Sequence, residues 1–174
     1  DGTHVHIASG HYTNGQETFP LMLTRPGIQL LGTNRADTIL NASGSTNRVI
    51  SALGVKGDAR IEGLSLTGGN LAPYIGNRLG GGVYVEASQL SLANCNITNN
   101  TVPTSQYQYQ ASGAGLYGVN STILLTNCLV RDNYAYQEQT SSSARGAGVA
   151  SLNCLMTMVH CAVVQNRIYP AWAA

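Results

Sequence analysis

Charge is scarce in this sequence: 10% of its residues are Asp, Glu, Lys or Arg, against roughly 25% in an average soluble chain. With a formal net charge of +1 and no basic cluster, the electrostatic footprint of a nucleic-acid binder is missing. No nucleic-acid partner is expected. No apolar run approaches the roughly 18 residues of a membrane-crossing helix, so no membrane span is expected either. A signal peptide is also lacking. The chain opens at Asp1, already inside the strand-like THVHIA, and reads as a processed mature form or an excised fragment. Phe and Trp occur once each, and no stretch shows the apolar periodicity of an amphipathic helix.

Acids are too few and too scattered for the usual chemistry of two carboxylates. There are eight: Asp1, Glu17, Asp37, Asp58, Glu62, Glu86, Asp132 and Glu138. None forms an aligned pair across neighbouring repeats, so no catalytic residue is assigned. His4 and His6 alternate onto one strand face with His11 close by, but no fourth ligand accompanies them, and no metal or other cofactor is expected.

What the sequence has in abundance is Gly, Asn, Ser, Thr and Tyr, set into a repeat. Three units of 33 residues, 80–112, 113–145 and a shortened 146–174, align without a gap. They begin GGGVYVEASQLSLANCNITNN, GAGLYGVNSTILLTNCLVRDN and GAGVASLNCLMTMVHCAVVQN. Gly80, Gly113 and Gly146 fall in step, as do Cys95, Cys128 and Cys161, and Asn100, Asn133 and Asn166. A period of this length marks a solenoid, in which each unit buries its apolar face only against its neighbours. The chain is read as one domain, 1–174, with less regular coils over 1–79 ahead of the three repeats.

Within a unit the pattern is that of short strands. Leu90, Leu92, Cys95 and Ile97 face inward on the period-two rule, with Ser91, Ala93, Asn96 and Thr98 outward. Ile123, Leu125, Cys128 and Val130, then Met156, Met158, Cys161 and Val163, repeat the inward set. The Cys column reads either as a ladder of small inward thiols or as the source of at least one bridge, since in-register stacking brings the Cα atoms within disulfide range. The corners at Asn99-Asn100, Asp132-Asn133 and Gln165-Asn166 read as an asparagine ladder.

This pattern resembles the right-handed parallel β-helix superfamily, the pectate-lyase-like solenoids. GGGVYV…LSLANCNITNN and GAGLYG…ILLTNCLVRDN are similar to repeats of bacterial surface β-helix proteins and outer-membrane passenger domains. VHIASGHYTNG, FPLMLTRPGIQLLGTN and ADTILNASG are similar to the opening of secreted bacterial β-helix proteins. The resemblance implies an all-β right-handed parallel β-helix of about five to six coils, with three short strands per coil. It also implies an extracellular or cell-surface location in a prokaryote.

Function is expected in what varies between repeats. The insertions 71–78, 101–112 and 134–145 leave one side of the stack and carry Tyr74, Tyr107, Tyr109, Tyr134 and Tyr136 as candidate binding residues. Outward positions grow apolar toward the C-terminus, marking Leu124, Leu129, Val159 and Val164, with Trp172, as candidates for self-association. The expectation is a non-catalytic structural or adhesive module that self-associates through its ends or its apolar C-terminal face. Its partners would be copies of itself or other surface proteins. The alternative is a carbohydrate-active β-helix, binding or cleaving polysaccharide on the Tyr-rich side.

Overall fold

The computed structural model of the chain describes residues 2–71, 78–104, 110–137 and 143–169. Among them there is no helix, and every strand pairing is parallel. Three long sheets run the length of the molecule. The first stacks His4–Ile7, Gln29–Gly32, Arg60–Glu62, Gln89–Ala93, Thr122–Thr126 and Leu155–Val159. The second stacks Gly10–Thr13, Thr38–Asn41, Ser65–Thr67, Asn96–Thr98, Leu129–Arg131 and Ala162–Val164. Leu21–Leu23, Ile50–Leu53, Val83–Glu86, Leu116–Val119 and Val149–Leu152 make the third. This is a parallel β-solenoid.

Register fixes the turn length. Gln29 lies against Arg60, Arg60 against Ser91, Ser91 against Leu124 and Leu124 against Thr157, giving steps of 31, 31, 33 and 33 residues. Those are four turns near the repeat length, with a shorter 25-residue coil from His4 to Gln29 ahead of them. The expectation of five to six coils is therefore slightly high if only full-length turns are counted.

The inward columns form one core running through the stack. Leu30, Ile61, Leu92 and Leu125 are buried in the first sheet, and Leu40, Leu66, Ile97 and Val130 in the second. The inward residues expected in the 80–112 and 113–145 repeats are all buried. Their equivalents in the last coil are not: Met158 and Val163 are exposed, because an inward side chain here is covered only by the coil stacked on it.

Most corners share one device: a single residue adopts the left-handed conformation. In the repeated coils an Asn, Ser or Cys follows it, and that side chain accepts a hydrogen bond from the backbone of the neighbouring coil. Gly63, Asn94, Asn127 and His160 make the first-to-second-sheet corner, with φ between 52° and 66°. Gly68, Asn99, Asp132 and Gln165 close the second sheet, and Gly54, Ala87, Asn120 and Asn153 follow the third. Asn tolerates this conformation better than most residues, which explains its frequency.

The inward partners then stack. The Asn100 Nδ2 donates to Asn133 Oδ1 at 3.0 Å, and Asn133 Nδ2 to Asn166 Oδ1 at 2.9 Å. The backbone N–H groups of Asn100 and Asn133 donate to the same oxygens at 3.1 and 3.0 Å. The asparagine ladder is thus present, with its labour divided: Asn99 makes the bend and Asn100 supplies the bonds. A serine ladder that sequence reasoning missed does the same at the third corner. Val55 N donates to Ser88 Oγ at 2.9 Å and Ser88 N to Ser121 Oγ at 3.1 Å, and Cys154 continues the column at the same 33-residue spacing.

All four cysteines are free thiols, so of the two readings of that column the ladder holds. Cys95 Sγ lies 3.2 Å from Ala93 O, and Cys128 N donates to Cys161 Sγ at 3.5 Å. The hydrogen bond with Cys128, together with burial, holds the Cys95 thiol well above its ordinary pKa. These thiols are corner hydrogen-bonders as much as apolar filler.

One segment reaches beyond its neighbours. At 33–37 the first-to-second-sheet corner is a small loop rather than one bent residue. Asn34 Oδ1 accepts from the N–H groups of Ala36 and Asp37 at 2.8 and 3.1 Å. Ser65 Oγ donates to Arg35 O at 2.6 Å, and Arg35 Nη1 donates to Asn127 O at 2.8 Å, 92 residues away. Arg35 thereby straps a corner three coils further along the stack.

Candidate functional site

Two of the segments expected as loops, 101–112 and 134–145, begin and end as strands, and 71–78 ends in one, so the repeated coils add short strands to the three expected in each coil. Thr101–Thr104, Tyr134–Gln137 and Arg167–Tyr169 stack as one three-stranded sheet, and Arg78–Leu79, Gln110–Ser112 and Ser143–Arg145 as another. Together they form a wing attached between the second and third sheets. Its interior is thin: Val102, Ala111, Ala114, Ala135 and Ala147 bury against one another, with Leu71 and Ala144 beside them. Small side chains let the outgoing and returning strands lie close.

Alternation sends the neighbours of Val102 and Ala135 to the wing's other face. There the structure brings Tyr134 and Tyr136 together with Tyr169. The Tyr136 and Tyr169 rings stack at 5.1 Å and 14°, and the Tyr134 and Tyr169 rings at 5.9 Å and 25°. Register explains the cluster, since Tyr134 pairs with Arg167 and Tyr136 with Tyr169. A hydrogen bond with Tyr169, then the nearby Tyr169 and Tyr134 phenols, holds the fully exposed Arg167 guanidinium above its ordinary pKa. Tyr169 and Arg167 were not among the expected binding residues. The signal was available: they stand 33 residues after Tyr136 and Tyr134. Tyr74, Tyr107, Tyr109 and Trp172 lie outside the described residues.

A second tyrosine pair lies on the outward face of the third sheet. The Tyr84 and Tyr117 rings stack at 6.1 Å and 5°, with the Arg48 guanidinium 4.4 Å from the Tyr84 ring centre. Burial, and the hydrogen bond that Tyr84 donates to Glu86 at 3.0 Å, push the Tyr84 phenol up to about 12. Burial also lowers the Arg48 pKa.

The outward apolar positions encircle the last two coils. Leu124 and Val159 stand on the first sheet, 39% and 40% exposed, and Val164 on the second at 43%. Leu129 is half-buried. The third sheet joins them, since the outward column Glu86, Val119, Leu152 ends in a Leu that is 54% exposed. This third column escaped the sequence reading, although the same comparison of equivalent positions reveals it.

Four of the acids have local partners. Glu62 pairs with Arg60 at 2.7 Å and accepts from Asn94 at 3.1 Å; the Arg60 hydrogen bond holds its carboxyl below the ordinary range. Asp132 pairs with Arg131 at 2.7 Å, Asp37 accepts from Asn34 at 2.7 Å and Glu86 from Tyr84. Among the described residues no three His, Cys, Asp or Glu side chains are grouped to hold a metal ion. No helix there is long and apolar enough to cross a membrane. Comparison with protein-family models, curated proteins and solved structures finds no match. The identification that stands is architectural: an all-β chain of parallel sheets stacked as a β-solenoid.

Proposed function

We propose that the chain is a non-catalytic structural or adhesive module of an extracellular or cell-surface protein, in the manner of the bacterial pectate-lyase-like solenoids. It self-associates, as a filament or surface layer, through the apolar outer face of its last two coils. The observation that carries this reading is the exposure of Leu124, Leu152, Val159 and Val164 at outward positions. Sheet faces turned to water alternate polar-out, and exposed apolar residues at outward positions of all three sheets mark the outside of these coils as a contact surface.

Sedimentation velocity across a wide concentration range tests it. The expected result is concentration-dependent association. Leu124→Asp with Val159→Asp should weaken it at least roughly tenfold, since burying each such side chain contributes about 1.5–3 kcal/mol. A strict monomer at high concentration would sink the proposal.

The tyrosine trio on the wing favours a second reading, polysaccharide binding or processing. Phenols offer sugars stacking area with a polar tip, and Arg167 adds donors beside them. A glycan array with a reducing-end assay decides it: no bound glycan and no released product would remove this reading.

A further inference from the structure

A polar cleft follows the corner between the first and second sheets, apart from the wing; its Asn127 end lies at the corner between the strands that carry Leu124 and Leu129. It encloses about 330 Å³, and Gly32, Arg35, Glu62, Gly63, Asn94 and Asn127 are among the residues lining it. That volume is at the lower end of small-molecule sites.

Its hydrogen-bonding capacity is only partly used. Arg35 donates one hydrogen bond, to Asn127 O, out of five N–H groups on a guanidinium. The Glu62 carboxylate accepts from Arg60 and Asn94, whereas a carboxylate has about four lone-pair sites. Asn127 Nδ2 donates to Asn94 Oδ1 at 2.6 Å, and among the described residues no donor reaches Asn127 Oδ1. Spare donors on a cation therefore line one cleft with spare acceptors on an anion and an amide.

That combination selects a ligand class. A phosphate or carboxylate would satisfy Arg35 but, acceptor-only itself, brings no donor for the spare acceptors on Asn127 and on Glu62, which is already ion-paired with Arg60. An ammonium fails in the opposite sense. A hydroxyl both donates and accepts, and adjacent hydroxyls can meet a guanidinium and a carboxylate together. We propose that this corner cleft binds a neutral, hydroxyl-rich ligand of mono- or disaccharide size, with Arg35 donating to it and Glu62 and Asn127 accepting from it. The site does not depend on self-association or on the wing.

The test is amide NMR of the isotope-labelled chain, titrated with glucose, galactose, mannose, maltose and cellobiose, with galacturonate as the anionic comparison. The side-chain amide signals of Asn94 and Asn127 are expected to shift saturably with at least one neutral sugar. Glu62→Gln, which keeps the shape of the side chain, should weaken that binding roughly tenfold. Glu86→Gln, on another face, should leave it unchanged. The proposal is overturned if no neutral sugar moves the Asn94 and Asn127 signals, if galacturonate binds as well as the neutral sugars, or if Glu62→Gln has no effect.

Discussion

Asn133 shows how much one side chain can carry in this architecture. It is fully buried and makes four side-chain hydrogen bonds: Oδ1 accepts from Asn100 N and Nδ2, and Nδ2 donates to Ile97 O and Asn166 Oδ1. Asn133→Ala leaves several buried groups unpaired, so a loss of about 3 kcal/mol is expected in urea unfolding. Thr38 is the opposite case. Its hydroxyl is buried without a partner, so Thr38→Val should raise stability by about 1 kcal/mol. Tyr84 sets a pH limit. Its folded pKa of about 12 stands above the ordinary 10, so the unfolded chain releases this proton first. Its contribution is present below pH 10 and is lost as pH rises toward 12. Phenolate absorbance followed alongside unfolding should show stability falling in that window, and Tyr84→Phe should flatten the fall.

At the scale of strands and corners, a column of glycines is tied to the asparagine ladder. A Cβ on Gly115 would lie 2.5 Å from Gly148 O and 2.9 Å from Asn133 Nδ2. Gly115→Ala must push apart two coils or displace the ladder amide, and about 1–3 kcal/mol of lost stability is expected. The inward columns were legible because their period of two repeats at the same place in every unit. The wing was less so. TVPT and YAYQ are short, with Pro, Gln and Tyr where a strand pattern would show Val or Ile, and Pro103 looks like a breaker. It nonetheless lies in register with Tyr136 of the next coil. Ser88 and Ser121 were passed over for a related reason: a serine near a bend looks like ordinary turn composition until the N–H it accepts from is visible.

Across the whole molecule, the 33-residue period made the stacking legible, because equivalent residues had to lie one above another. The candidate surfaces were legible only where a column could be compared copy by copy, as at Leu124 and Val164. The cleft beside Arg35 could not be found that way, since the 33–37 loop has no counterpart in the later coils. That loop also changes how the molecule should come apart. In a stack whose coils touch only their neighbours, stability is a chain of short-range couplings, and such chains can fray coil by coil. The bond from Arg35 to the Asn127 carbonyl is a coupling of longer range: the coils between cannot slide or peel away while it holds. Arg35→Ala should therefore cost only about 1 kcal/mol at the midpoint yet lower the denaturant m-value, as the concerted transition divides into steps. An unchanged slope would show that cooperativity resides wholly in neighbour contacts. Otherwise one guanidinium acts on this solenoid as a rivet does on a stack of plates, converting adjacent layers into a single unit of unfolding.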